Sequence, residues 1–252
     1  MIKVIQEKYV NKESSIDNLI SNFDGYGLQL KDARNKLKIF FLDDVKINIK
    51  SFKIPNLLNQ IIYRFFRKGK AQRSFEYAKK LLQLGINTPS PIAYYEQKKG
   101  LLFKRSFYVS EHLNYDLTYR ELITDLDYPN REVILRDFTR FTFELHEKNI
   151  HFLDHSPGNT LMQITPEGYK FFLVDLNRMR FRKLSFEDRI KNFARLSKHQ
   201  EMIEIMSDEY SKISGESYEK VVNLMKQEVA MFRRKIENKS KIKRALLFRK
   251  TS

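Results

Sequence analysis

The sequence predicts an α+β chain of two lobes, a β-rich part over residues 1–110 and a mainly helical part over 111–252. Three observations carry this. Residues 36–42 (KLKIFFL) and 45–52 (VKINIKSF) are rich in Ile, Phe and Val with Asp43-Asp44 between them, the pattern of a β-hairpin. After about residue 115 the apolar residues recur at helical spacing. From Ser185 onward the chain has no proline. The cleft between two such lobes is the expected place for a ligand.

Within the first part, an earlier strand is expected around Tyr26 to Lys31. Val45, Ile47 and Ile49 alternate with Lys46, Asn48 and Lys50, so one strand face should be buried and the other polar. Residues 70–84 place Ala71, Phe75, Ala78 and Leu82 at helical spacing, and Gly85 stops the helix. The prolines extend "NTPSP". Strand-like runs at 92–96 and 106–113 then flank the turn Lys98-Lys99-Gly100. In the second part, residues 131–149 form a helix with Val133, Ile134, Phe138, Phe141 and Leu145 on one side. A hairpin over 159–175, turning near Glu167, interrupts the helices.

Composition bounds the function. A chain of 252 residues with 42% hydrophobic content can bury a sizeable core. It has no cysteine, which excludes disulfides and thiolate metal sites and fits a reducing compartment. The N-terminus lacks the apolar core of a signal peptide, and no window approaches the ~20 apolar residues of a membrane span. A cytoplasmic location is expected. His146, His151 and His155 cluster without a His-x3-His pair, so a metal triad is disfavoured and His146 reads as a packing residue.

The net charge of +16 calls for an anionic partner: nucleic acid, an anionic membrane face or a phosphorylated substrate. From Arg233 to Lys250 there are nine basic residues and one acid, Glu237. Ile242, Leu246, Leu247 and Phe248 are interleaved with them, as in a basic amphipathic segment lying on the inner face of a membrane. A nucleic-acid role would explain the charge but leave the following residues without a purpose.

Those residues lie in "IHFLDHSPGNTLM", Ile150 to Met162. Asp154 and Asn159 stand five positions apart around a Ser-Pro-Gly turn, and a strand follows. Either alone reads as a turn residue. The hairpin over 159–175 ends at Asp175, and antiparallel pairing should bring Asn159 and Asp175 together, with Asp154 just before the same end. Two of these oxygen-bearing side chains can hold a hard cation such as Mg²⁺ and the third can accept a proton.

These residues resemble the motifs of the protein-kinase-like fold. Asp154 to Asn159 has the spacing of the catalytic-loop Asp-x4-Asn, and "VDLN" (Val174 to Asn177) stands where Asp-Phe-Gly would. "INIK" (Ile47 to Lys50) looks like the Val-Ala-Ile-Lys strand, with Lys53 as a rival to Lys50. Glu76 sits where the lysine's ion-pair partner is expected. "FYVSEHL", containing Glu111, reads as the hinge strand. Within the superfamily, "RKGKAQRSFEYAKKLLQLGINTPSPIAY" (Arg67 to Tyr94) and "HEKNIHFLDHSPGNTL" (His146 to Leu161) are similar to the lipopolysaccharide core kinases of the Kdo/WaaP type.

The resemblance implies ATP-dependent, Mg²⁺-requiring phosphorylation of a sugar hydroxyl of lipopolysaccharide, in its Kdo or inner-core region. Lys50 would hold the nucleotide phosphates, steadied by Glu76, and Glu111 would lie at the nucleotide. Asn159 and Asp175 would bind Mg²⁺, and Asp154 would take the acceptor's proton. Glycines over the phosphates are not evident, and Arg34 in "KDARN" could act there by charge. The missing Ala-Pro-Glu motif and Ser156 in place of a lysine favour a saccharide or other small acceptor over a protein. Phe152, where a histidine is usual, keeps open the alternative of a pseudokinase that binds nucleotide or a partner without turnover.

Overall fold

The computed structural model describes residues 1–32 and 35–248; Arg34, expected at the phosphates, lies outside them. The chain forms two compact units, Met1–Asn114 with Phe172–Arg178, and Tyr115–Phe171 with Met179–Ser252.

The first unit is built on a six-stranded antiparallel sheet of order β1-β5-β6-β4-β3-β2. Its strands are β1 (Ile2–Ile5), β2 (Leu28–Asp32), β3 (Lys36–Leu42), β4 (Val45–Phe52), β5 (Pro91–Lys99) and β6 (Leu102–Glu111). The β3–β4 hairpin has the bounds that alternation predicts, and Asp43 turns it with φ +53°, the left-handed conformation that a two-residue hairpin turn requires. Ile47 and Ile49 are buried as expected. Val45 is exposed instead, because it begins the strand beside the turn.

Among the described residues, three α-helices belong to this unit, α1 (Glu13–Ser21), α2 (Leu57–Phe65) and α3 (Lys70–Gln83), with a 3-10 helix over Glu7–Lys12. Helix α1 closes one sheet face, where Ile16, Ile20 and Phe23 pack with Phe40, Ile47, Ile49, Tyr95 and Phe107. The buried Lys38 ammonium donates to the carbonyls of Phe23 and Tyr26, both at 2.8 Å, so the chain leaving α1 is tied by a cation. Helix α3 packs Ala71 and Phe75 on Phe52 and Tyr94, with the Phe75 and Tyr94 rings 5.4 Å apart.

Helix α3 has no capping side chain of its own, since Gly69 precedes it. Glu96 on β5 supplies the missing negative end by accepting from the Gln72 main chain in the first turn. Burial nevertheless pushes the Glu96 carboxyl above its ordinary range, with Lys98 opposing.

The second unit contains β7 (Leu117–Thr118), α4 (Glu121–Thr124), α5 (Arg131–Glu147), β8 (Ile150–Phe152), β9 (Thr160–Thr165), β10 (Gly168–Leu173), β11 (Met179–Phe181), α6 (Phe186–Lys191), α7 (Gln200–Ser214) and α8 (Tyr218–Phe248); β10 ends in the first unit's segment. Strands β10, β9 and β7 form one small sheet, and β11 pairs with β8. Helix α5 buries Ile134, Leu135, Phe138, Phe141 and Leu145. Val133 is exposed, so the inner face is turned from the predicted one toward Leu135. Arg136 reaches Asp208 on α7 at 2.6 Å, and Arg140 pairs with Glu209, adding oriented contacts to the apolar seam.

A Cβ on Gly69 would lie 2.0 Å from Glu96 Oε1 and 2.9 Å from the Phe103 ring. Gly69→Ala is therefore expected to cost about 1–3 kcal/mol, read as a lower denaturant midpoint at unchanged slope. Adding Glu96→Ala should recover part of that loss, because it removes the nearer obstacle.

Candidate active site

Lys50 lies on β4 between the buried Ile49 and Ser51, paired across the sheet with Leu37 and Tyr108. Its ammonium is 2.8 Å from Asp175 Oδ1. Lys53, the rival, lies past the end of β4 and is exposed. Asp175 reaches Lys50 because Phe172–Arg178 is built into the first unit. The Leu173 N–H donates to Asn87 O at 3.0 Å, and Thr88 Oγ1 donates to Leu173 O at 2.7 Å. Asp175 has φ +59°, and Asn177 Nδ2 donates to its Oδ1 at 2.5 Å. Left-handed backbone at a residue other than glycine costs about 1–2 kcal/mol, less for Asp, whose side chain can bond locally.

The expected Lys50–Glu76 ion pair is not formed. Glu76 binds Lys68 Nζ at 2.8 Å and takes a hydrogen bond from Gln72 Nε2 at 2.9 Å. Lys68 lies just ahead of α3, and Gln72 one turn before Glu76 on the same face, so the nearer cation takes the carboxylate. Glu111 ends β6 with its carboxylate on Lys8, at 2.8 Å, and on the Tyr9 hydroxyl. Burial raises its pKa, but the bonds from Lys8 and Tyr9 outweigh that and hold it below the usual range. The neighbouring His112 Nδ1 is 3.1 Å from Asn48 Oδ1 on β4.

In the second unit, Asp154 follows β8 in a tight turn, where the His155 N–H bonds to Phe152 O at 3.1 Å. Asn159 donates its amide nitrogen to the Asp154 carbonyl at 2.7 Å, so the Asp-x4-Asn spacing closes the loop on itself. The Asn159 N–H to Ser156 O bond, at 2.9 Å, completes the Ser-Pro-Gly turn. A Cβ at Gly158 would sit 2.9 Å from Arg120 Nη2, the mobile end of an exposed side chain.

Arg195, beyond α6, was missed in the sequence. Its Nη1 is 2.6 Å from Asp154 Oδ1 and 3.2 Å from Leu153 O, and its guanidinium lies over the Phe232 ring at 5.6 Å. It belongs to no motif, so only its basic character in a helix-end turn could have singled it out.

A polar chain under the loop holds it in place. Asn192 Nδ2 donates to Phe152 O at 2.8 Å, its Oδ1 lies 3.2 Å from His146 Nε2, and His146 Nδ1 lies 3.0 Å from the Tyr210 hydroxyl. His146 is thus a hydrogen-bonding strut as well as a packing residue. His155 lies between the Phe138 and Phe152 rings, at 5.2 and 5.7 Å. Burial lowers the pKa of both His146 and His155 to about 3, so both are neutral.

A family model described as lipopolysaccharide kinase (Kdo/WaaP) matches residues 55–218. The chain belongs to this family. A solved structure titled "WaaP in complex with acyl carrier protein" is similar at TM-score 0.64 and 14% identity, covering 94% of this chain and 99% of that one. That likeness places the fold, α+β with a sheet-rich N-terminal part and a helical C-terminal part, among the kinase-like folds. No curated protein matches the chain by sequence.

The family implies a kinase acting on lipopolysaccharide, with ATP and Mg²⁺ as its usual requirements. Among the described residues, no three His, Cys, Asp or Glu side chains cluster as a metal site. The donors the family pattern uses are one carboxylate and one amide oxygen, and Asp175 and Asn159 have that hard-oxygen chemistry. Asn159 has its nitrogen on Asp154 O, which reserves Oδ1 as the donor atom.

The neutral buried histidines have a consequence for stability. Their folded pKa values lie below the unfolded value of roughly 6.5, so stability is retained above that pH and lost as pH falls toward about 3. Between pH 7 and 5 each histidine should cost roughly 2 kcal/mol. Denaturant titrations at the two pH values should show the loss, and His146→Gln should lessen it.

Proposed function

We propose that the chain transfers the terminal phosphoryl group of ATP to a sugar hydroxyl of lipopolysaccharide, in the Kdo or inner-core region. The observation that carries this reading is the Asp154–Asn159 loop, closed on itself and buttressed from beneath, in a chain of this kinase family. Lys50 binds the nucleotide phosphates. Glu111 has its carboxylate engaged by Lys8 and Tyr9 and its N–H on Ser90 O, so neither is directed to the nucleotide. Glu76, paired with Lys68, steadies α3 rather than Lys50.

Asp154 accepts the proton of the attacking hydroxyl as that oxygen forms its bond to phosphorus and the bond to the β-phosphate oxygen breaks, releasing ADP. Asn159 and Asp175 are the residues that would hold Mg²⁺, which when bound would supply neutralisation of the charge that builds during transfer. Arg195 is a positioning residue that fixes Asp154 Oδ1 by charge-assisted bonding. Ser156, where a serine/threonine protein kinase carries lysine, has no positive charge, and Arg195 brings one to Asp154 from another element.

The acceptor is lipid-linked, so the reading places the enzyme at the inner face of the cytoplasmic membrane with the basic end of α8 toward anionic lipid. The tail residues Leu246, Leu247 and Phe248 fall where the side chains are not described. No helix is long and apolar enough to cross a membrane among the described residues. The absence of a Lys50–Glu76 pair favours a second reading, a pseudokinase that binds nucleotide without turnover.

Radiolabel transfer from ATP to extracted lipid A–core separates the two. Asp154→Ala should lower kcat by roughly 10²–10⁴-fold with the fold intact. Wild-type protein that is stabilised by ATP and Mg²⁺ yet transfers no label would instead be the pseudokinase. Arg195→Gln should lower kcat with KM for ATP unchanged, and Arg195→Lys should restore part of the rate. Equal loss in both variants, accompanied by a lower melting temperature, would make Arg195 merely structural.

A further inference from the structure

Helix α2 has its amphipathicity inverted. Leu57, Leu58, Ile61 and Phe65 are 66%, 69%, 42% and 55% exposed, whereas Gln60, on the inner side, is 5% exposed. Gln60 is tolerated there because its Nε2 donates to Pro55 O at 2.9 Å, although its Oε1 is buried without a partner. Tyr63 makes the inward contact, its ring 5.8 Å from Phe103. At about 100° per residue the four exposed side chains fall within one arc of about 100°. Ile54 and Phe66, 46% and 82% exposed, carry the apolar surface past both helix ends. Single exposed apolar residues are ordinary, but six on one short segment make a patch of the kind that marks an interface.

The charge around this patch selects its occupant. From Val45 to Phe75 the chain has no acidic residue, while Arg64 lies on the helix and Lys53, Arg67, Lys68 and Lys70 flank it, Lys68 being paired with Glu76. Arg64 lies over the Phe65 ring at 5.5 Å and Arg67 over the Tyr63 ring at 5.9 Å, so the guanidiniums stack along the aromatic side chains. Apolar side chains with a basic rim and stacked arginines match the boundary between lipid headgroups and acyl chains. A second copy of this chain is a poor fit, because a symmetric contact would bring one basic rim against another.

We propose that α2 with Ile54 and Phe66 is a membrane-docking face that inserts its apolar side chains into an anionic lipid surface. This face is distinct from the basic end of α8, lies in the first unit, and does not depend on phosphoryl transfer. Its apolar part supplies what a tail of charges alone does not, an attachment that persists when salt screens the electrostatics.

The chain has no tryptophan, so Phe66→Trp in the full-length protein places a single emission reporter on the patch. Without nucleotide, its emission should shift to the blue with vesicles of phosphatidylglycerol and phosphatidylethanolamine, and not with phosphatidylcholine alone. In flotation, Leu58→Asn/Phe65→Ser should lose on the order of tenfold in apparent affinity for the anionic vesicles, at an unchanged thermal midpoint. Lys239→Gln/Lys241→Gln, on α8, should leave the blue shift of the Phe66→Trp protein in place. Wild-type flotation without any blue shift, or undiminished flotation of Leu58→Asn/Phe65→Ser, overturns the proposal. So does a wild-type chain that ignores vesicles but self-associates through this face, becoming monomeric in Leu58→Asn/Phe65→Ser.

Discussion

The first unit depends on one constraint, the capture of Phe172–Arg178. Two hydrogen bonds tie Leu173 to Asn87 and Thr88, and two residues later Asp175 meets the Lys50 ammonium at 2.8 Å. A half-buried ion pair of this kind stabilises a fold by about 1 kcal/mol. Its importance lies in position: with Lys50 fixed in the sheet, the pair places a carboxylate from a segment more than a hundred residues downstream. The left-handed backbone at Asp175 is the local cost, offset by the Asn177 bond and the two upstream anchors.

The loop of the second unit is held by a different strategy. The chain from Tyr210 through His146 and Asn192 to Phe152 O is buried, and its members satisfy one another. Such a chain is costly to break, since each member lost strands a polar partner in a low-dielectric setting. This gives a physical account of Phe152, where the kinase pattern has histidine. Its ring packs beside His155, its carbonyl is held by Asn192, and the rigidity of the loop does not need an imidazole at that position.

What the sequence revealed follows from how local each signal is. The β3–β4 hairpin and α3 rest on alternation and helical spacing within a dozen residues, and both were legible. The Asp154–Asn159 spacing was legible because its closing hydrogen bond lies within the loop itself. Arg195 was not, because nothing in its own neighbourhood records that it meets an acid far upstream. Glu76 was assigned to Lys50 by analogy, whereas Lys68, eight residues before it, is the cation that local chain geometry delivers. Helix α2 differs: Leu57, Leu58, Ile61 and Phe65 have the spacing of a core-facing stripe, but spacing does not record that the stripe faces water.

The distribution of charge fits the same logic. A net +16 carries self-repulsion that compactness alone would not favour, and the excess is concentrated where it opposes folding least. One concentration is the end of α8, whose described residues from Arg233 onward are exposed. The other is the acid-free stretch that includes α2. Inside the units several cations are matched with acids: Arg136 and Arg140 with α7 acids, Arg105 with Asp24, and Lys50 with Asp175. Lys50 and Lys68 in the acid-free stretch are paired with acids from elsewhere in the chain, whereas Lys53, Arg64 and Arg67 add to the surplus around α2. Since a surplus acts over roughly 8 Å in physiological salt, it can orient the chain on an anionic surface but needs apolar contact to fix depth. Of these two stretches, α2 with Ile54 and Phe66 exposes six apolar side chains on one short segment, whereas the described part of α8 beyond Arg233 exposes two, Ile236 and Ile242.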